Sequence, residues 1–525
     1  MNRALALSCT AIVLLAQAAL SAEGDPPAAS ALPAEDGSAL SQLDIDFRRT
    51  DVAGEALELT LPDAIRYALE RNPDIQIEKL VVPMVEQGVA REQAAFDPVV
   101  ESNLGTSKSR TQSASTLEGA TTPERTSTEA GVSLKEKMAT GGTWGVSLNN
   151  ARRWSNNSYA TLNPEYDAAL RLDISQPLLK NFGREINAAG LQKAENNVRI
   201  AELAYRRKIM EAIGETMNGY WELMFTIMDL QVRQVALKQA EQLLEENRAR
   251  FQAGTVPQTD LLAAEAGVAQ RQADILRARA AIESIEDRIK LLLNASTIRE
   301  NGWDLPISPQ TAPRIEQMDD DIGRCMEAAR TFRPDYQSFL CELKNRNIEL
   351  KYRGNQLWPS LDLDLSGELA GLGSGIGEAH DSASSTDYYA AGGALVLRVP
   401  LGRRAERSEF YRARLELAQT ELRFERLKQT VVAELRDALR RLSTARQELD
   451  AADTLRIAEW KRLEAERRRL EAGKTTSSDV LSFQEAFAVA QRRYIRSLID
   501  YNQAMVALHR SRGTLLDYVN VQVVY

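Results

Sequence analysis

Phe251-Gln252-Ala253-Gly254-Thr255-Val256-Pro257-Gln258-Thr259-Asp260-Leu261-Leu262 is the one interruption in a helical pattern that otherwise runs over 185–294. Upstream of it, Ile213, Met217, Tyr220, Met224 and Ile227 recur at alternating spacings of four and three, the seam of a coiled coil. An arm of about 70 residues rising about 1.5 Å each extends about 100 Å, which no compact core requires. The pattern occurs twice. A second run over 404–515 carries Leu435, Leu439 and Leu442 at the same spacing and breaks at Leu470-Glu471-Ala472-Gly473-Lys474-Thr475-Thr476-Ser477-Ser478-Asp479-Val480-Leu481.

The breaks have their own chemistry. Gly254 suits the positive φ that ends a helix, and Thr255 with Gln258 has capping-box spacing, with Pro257 allowed in the first turn. Asp260 and Asp479 fall in the first turns of the returning helices, where the helix dipole favours a carboxylate. Two readings stand: helix caps, or carboxylates facing a narrow tube mouth, where symmetry would make cation-favouring rings of them.

Strand signals precede each long arm. Val100, Ser102 and Leu104 begin a weak alternation, followed by a Ser/Thr-rich loop over 110–128. Clearer strands lie at Val132, Leu134 and Met138; at Trp144, Val146 and Leu148 beyond the Gly141-Gly142 turn; and at Ala168, Leu170, Leu172 and Ile174, opposed by Arg171, Asp173 and Ser175. Such a period means a sheet with unlike faces, which in a membrane barrel are lipid and aqueous lumen. The block ends at Pro177, either a swivel between barrel and helix or an ordinary strand terminator.

The second half replays the first. Asn72-Pro73-Asp74 and Arg333-Pro334-Asp335 lie 261 residues apart, as do Phe96-Asp97-Pro98 and Leu357-Trp358-Pro359. Leu361, Leu363 and Leu365 restart the alternation, a Gly-rich loop follows over 371–393, and Leu395, Leu397 and Val399 return to Pro400, the counterpart of Pro177. Gly254 matches Gly473, and Asp260 matches Asp479, at a separation of 219. Internal duplication on this scale makes one elongated object of two similar halves. The strand block is longer in the first half, leaving room for an extra hairpin.

These signals divide the chain into a signal peptide at 1–22, a flexible leader at 23–58 and a first repeat at 59–294, with strands at about 98–176 and a helical hairpin at 185–294. A linker or equatorial segment at 295–321 leads to a second repeat at 322–515, with strands at about 360–399 and a hairpin at 404–515, and a tail at 516–525. The signal-peptide reading rests on Arg3, the apolar run over 4–20 and the small residues Ser21 and Ala22.

Composition narrows the function. A net charge of -9 disfavours nucleic acid, whose phosphates need a basic face. Cys325 and Cys341, the cysteines beyond Cys9 of the leader signal, read as buried free thiols on separate helices rather than a disulfide framework. The histidines, His380 and His509, lack partners at metal-ligand spacing, and no nucleophile elbow, phosphate loop or dinucleotide fingerprint occurs. The reading is of a non-enzyme without cofactor or metal. The charged block at 462–469 reads as a solvated coiled-coil flank.

Taken together, Leu59-Thr60-Leu61, Asn72-Pro73-Asp74, Gln176-Pro177-Leu178-Leu179, Gly183-Arg184 and the two breaks resemble the TolC-type outer membrane efflux proteins over nearly the whole mature chain. The resemblance implies a mainly α fold with a membrane β-barrel, and a homotrimer whose long helices build a periplasmic tunnel. It implies a passive duct for efflux or type I secretion in the outer membrane, fed by a periplasmic adaptor and an inner-membrane pump. By the same resemblance, Gly254, Thr255 and Gly473 are adaptor-docking candidates. Thr259, Asp260, Thr475 and Asp479 are entrance candidates, and Pro177 and Pro400 mark the barrel–helix junction. Family members supply four strands each, whereas this sequence has room for six unless the Gly141-Gly142 hairpin lies outside the barrel. Thr475 stands where some members carry a latching arginine, and Ser482 where a second acid occurs. The closed state is therefore expected to be held differently, or less tightly. The competing expectation is a secreted coiled-coil adaptor or rod without a barrel.

Overall fold

The computed structural model describes residues 49, 56–113, 119–298, 301–316, 321–472 and 474–523. The expected signal peptide, the leader apart from residues 49 and 56–58, and Gly473 lie outside the described residues.

The first half begins with β1 (Leu57–Leu59), α1 (Leu61–Arg71) and α2 (Pro73–Gln93). The Thr60 hydroxyl accepts from the Asp63 N–H, and Asn72 accepts from Asp74 and Ile75, while Pro73 occupies a first turn that needs no N–H donor. Four strands follow: β2 (Val99–Arg110), β3 (Glu124–Lys137), β4 (Thr143–Ser155) and β5 (Glu165–Pro177). After the short α3 (Arg184–Asn187), α4 (Ala189–Gln252) and α5 (Gln258–Leu293) make the first long hairpin. Then come β6 (Ile307–Pro309), α6 (Ile322–Phe332), α7 (Pro334–Asn355), β7 (Ser360–Gly373), α8 (Ile376–Ser384) and β8 (Tyr389–Arg398). The second hairpin is α9 (Arg404–Glu471) with α10 (Ser477–Arg512), and α11 (Leu515–Tyr518) closes the described chain. At about 1.5 Å per residue, α4 and α9 each reach about 100 Å.

The duplication survives at atomic detail. Asn72 Nδ2 donates to the Leu292 carbonyl at 3.0 Å, and Arg333 Nη1 donates to the Ser511 carbonyl at 3.2 Å. Each pre-proline side chain thus ties its helix pair to the last turn of the returning helix in its own half. Leu292 and Ser511 keep the separation of 219 found at the breaks. Asn294 and Gly513, at the same separation, both end their helices with positive φ, 50° and 80°.

Two segments differ from the sequence reading. Residues 57 and 58, read as the end of a leader, belong to β1, and the linker supplies β6; the two pair in parallel, Leu57 with Ile307 and Leu59 with Pro309. Three-residue strands are too short to show a period, and their pairing spans some 250 residues of sequence. Tyr220 of α4, fully buried, holds this belt: its hydroxyl accepts from Gln310 N at 3.0 Å and Thr311 N at 2.8 Å and donates to the Leu59 carbonyl at 3.1 Å. Around it Leu59, Leu223, Met224, Ile282, Ile289, Ile307, Ile495 and Leu498 form the main core, where both hairpins meet. The other difference is α8, which occupies the expected loop over 371–393. A Cβ at Gly371 would overlap the backbone of Ala379 and Ala383, so the glycine lets this helix lie directly on the sheet.

Cys325 and Cys341 are buried free thiols. His509 stacks on Tyr518 with ring centroids 4.1 Å apart, and burial, aided by Arg512, pulls its imidazole down to about 4, so it is neutral at neutral pH. Among the described residues no helix is long and apolar enough to cross a membrane, and no cluster of His, Cys, Asp or Glu has the makings of a metal site.

Candidate channel wall and entrance

One six-stranded antiparallel sheet runs β2-β3-β4-β5-β7-β8. The hairpin at Gly141-Gly142 lies within it, since β3 pairs with β2 over 99–110 and with β4 over 143–155. Register places Val132, Leu148, Leu170 and Leu369 in one row across four strands, and Leu134, Val146 and Leu172 in another. These rows share one face, and Leu104, Leu395 and Leu397 on it are 83%, 63% and 60% exposed. Water would not tolerate an apolar surface of that extent; lipid would. On β4 this face carries Trp144, Val146 and Leu148, then Asn150 and Arg152 before Trp154, and α8 lies on it at the row of Asn150, Ala168 and Gly371, so the apolar band on this strand is the helix-proximal part.

The opposite face is polar and paired. Lys135 Nζ meets Glu101 at 2.7 Å, Arg398 meets Asp362 at 3.0 Å, Arg171 meets Asp173 at 2.8 Å, and Arg153 pairs with Asp167. Ser175 Oγ donates to Asp364 at 2.6 Å. Alternation therefore separates an apolar surface from one lined by both signs of charge.

At the lower edge of the sheet, Pro177 still pairs in register with Asp362, and the next amide, Leu178 N, donates to the Leu361 carbonyl at 2.7 Å. The chain then turns through Asn181 and Gly183, with φ of 63° and 101°. Asn181 N donates to Asn355 Oδ1 at 2.7 Å, and Asn187 Nδ2 donates to the Asn181 carbonyl at 2.7 Å. Pro400 follows β8, and Arg403 Nη1 donates to the Leu357 carbonyl at 2.9 Å. Both junctions are thus tied to the end of α7 and the segment after it.

The other ends of the hairpins are the two breaks. Gly254 takes φ 73°, its N–H donates to the Phe251 carbonyl, and Thr255 N donates to the Arg250 carbonyl, each at 2.9 Å. That is a Schellman closure, and the equivalent outer bond, Lys474 N to the Arg469 carbonyl at 2.9 Å, closes the second break. The expected capping box of Thr255 with Gln258 does not form: Thr255 Oγ1 turns back to the Arg250 carbonyl at 2.9 Å, and α5 starts without a side-chain cap. The box forms at the second break, between Thr476 and Asp479. The Thr476 hydroxyl and N–H, with the Thr475 hydroxyl, hold the exposed Asp479 carboxyl below the usual carboxylate range. Thr259 is exposed, while Thr475 and Asp260 are half-buried.

Several residues that join the two hairpins carried no recognised sequence signal. Asn247, fully buried near the end of α4, accepts from Ser477 Oγ at 2.8 Å and donates to the Asp260 carbonyl at 3.5 Å, joining three helices beside both breaks. Its one clue is an amide in the stripe that also holds Leu243 and Leu244. Farther up, Asp229, 7% exposed, accepts from Arg233 at 2.8 Å and from Arg492 of α10, and Arg496 grips Glu222 at 2.7 Å. The charged block at 462–469 is largely paired along its own helix, Arg462 with Glu459 and Arg468 with Glu464.

The family model described as outer membrane efflux protein matches residues 145–295 and 326–514. Among solved structures, the CmeC outer membrane channel of Campylobacter jejuni matches with a TM-score of 0.60 and 16% identity, over 87% of this chain and 86% of that one. VceC, an outer membrane protein of Vibrio cholerae, matches with 0.61 and 15%, over 86% and 96%. The open state of the MtrE outer membrane channel of Neisseria gonorrhoeae matches with 0.59 and 17%, over 90% and 95%. No curated protein sequence matches.

Proposed function

The chain belongs to the outer membrane efflux protein family, and on that premise we propose that it is one protomer of a homotrimeric export duct fed from the periplasm. Its place is the outer membrane, with a large periplasmic helical part, and it is a channel rather than an enzyme. The observation that carries the duct is the two-faced sheet set on the ends of two hairpins about 100 Å long. An open sheet cannot survive in hydrocarbon, where unpaired edge amides each cost several kcal/mol, so closure by neighbouring copies is the solution its chemistry allows.

In this reading Gly254, Thr255 and Gly473 sit at the periplasmic tips and meet the hairpins of a periplasmic adaptor, which an inner-membrane pump engages from below. Thr259, Asp260, Thr475 and Asp479 line the entrance, and threefold symmetry makes carboxylate rings of the two aspartates, favouring cations. Pro177 and Pro400 end the barrel strands and aim the chain into the tunnel. With threonine at 475, the closed state rests on the buried Asn247–Ser477 bond and the Asp229–Arg492 pair. Transport energy comes from the pump; the chain supplies a passive wall.

Fractionation separates this reading from a soluble rod. The duct predicts recovery in outer-membrane fractions as a trimer that falls to monomer mobility only on heating. Recovery as a soluble periplasmic monomer would return the strands to a water-soluble domain.

A further inference from the structure

We propose that the membrane barrel of the trimer has eighteen strands, six from each copy, closed by pairing β2 of one protomer with β8 of the next. This rests on the trimeric reading and adds the identity of the surfaces that meet. Among the described residues, β2 pairs only with β3 and β8 only with β7, so these two strands are the free edges of the sheet. They are of similar length, twelve and ten residues. An all-antiparallel sheet of six puts β2 and β8 in opposite directions. A β8–β2 seam between copies is therefore antiparallel as well, and the barrel closes without a parallel joint.

The faces agree across that seam. Val100 and Leu104 on β2 and Leu395 and Leu397 on β8 all lie on the apolar side, and all four are more than half exposed in the single chain. Glu101 of β2 and Arg398 of β8 lie on the polar side at the helix-proximal end of their strands. Pairing the two edges makes both surfaces continuous around the ring.

A barrel of twelve strands would require two strands of each copy to leave the sheet. Only an edge pair could leave, and detaching β2 with β3 breaks the β3–β4 ladder, unbroken from Arg125 with Ser155 to Lys137 with Thr143, while detaching β7 with β8 breaks the β5–β7 ladder, unbroken from Tyr166 with Gly373 to Pro177 with Asp362.

Cysteine cross-linking of the full-length protein in membranes tests the seam, the native Cys325 and Cys341 being buried. Ser102→Cys is combined in turn with Ala391→Cys, Gly393→Cys and Leu395→Cys, all outward-facing, and Leu148→Cys on β4 is combined with the same three. Eighteen strands predict covalent dimers and trimers from at least one Ser102 combination and none from Leu148. Cross-linked trimers from Leu148 but not Ser102 would overturn the proposal in favour of twelve strands while leaving the trimer intact. Non-covalent trimers with no cross-link from either series would overturn edge pairing altogether, and absence of trimers would contradict the trimeric reading itself.

Discussion

Arg333→Ala lowers the stability of the folded chain by about 3 kcal/mol, the loss expected when one partner of a buried ion pair is removed and the other is left behind. Arg333 is 9% exposed. Its guanidinium forks onto Asp335, Nε to Oδ1 at 3.0 Å and Nη2 to Oδ2 at 2.7 Å, while Nη1 reaches Glu434 at 2.7 Å and the Ser511 carbonyl at 3.2 Å. One side chain thus fastens the α6–α7 corner to both arms of the second hairpin. The Asp335 carboxyl, held below the usual range against its own desolvation by that guanidinium, is stranded by the substitution. Glu434 is half exposed, so Glu434→Ala alone costs under about 1 kcal/mol. Thermal or urea unfolding followed by circular dichroism checks both. Equal effects of the two variants would mean that the corner is held by packing and not by the arginine.

Tyr220→Ala produces a loss of comparable size, about 3–5 kcal/mol, because it empties a fully buried site at the centre of the main core. Tyr220→Phe separates the hydroxyl from the ring. Leu59 O keeps Gln310 N as a donor at 3.0 Å, but Thr311 N loses its acceptor, at about 1–3 kcal/mol for a buried N–H left unpaired. Limited proteolysis reports the difference directly: Tyr220→Phe accelerates cleavage near 301–316 while the hairpins remain resistant, and Tyr220→Ala exposes both. Cleavage of Tyr220→Phe at the wild-type rate would show that the belt does not depend on the hydroxyl.

How far the molecule was legible from its residues follows from range and repetition. The tips announced themselves because a glycine that ends a helix and an acid that begins one are local signals, and they occurred twice at one spacing. The two-faced sheet was legible from alternation in β4, β5 and β7, where a side-chain period of two continues for ten or more residues. β2 was weaker because serine, asparagine and glycine interrupt its apolar row, yet it runs unbroken through twelve residues, held by its ladder to β3. The resemblance implies a belt at the linker, but its strands were not legible: β1 and β6 are short, and what selects them is Tyr220, distant in sequence. The expected box at Thr255 failed because the Schellman turn offered its hydroxyl a nearer acceptor at Arg250. Asn247 was hidden in an otherwise apolar stripe, where one amide reads as noise until its partner Ser477 is seen across the hairpins. Contacts distant in sequence account for the belt and for Asn247, whereas the Thr255 box was lost to a local competitor.

Planar-bilayer recording of the purified protein tests the central claim most directly. The duct predicts discrete single-channel openings with cation preference, rarer in the wild type than after Asn247→Ala loosens the tips. Asp260→Asn combined with Asp479→Asn is expected to reduce that preference. A protein that forms trimers but never conducts, with its tips intact or altered, would contradict the account.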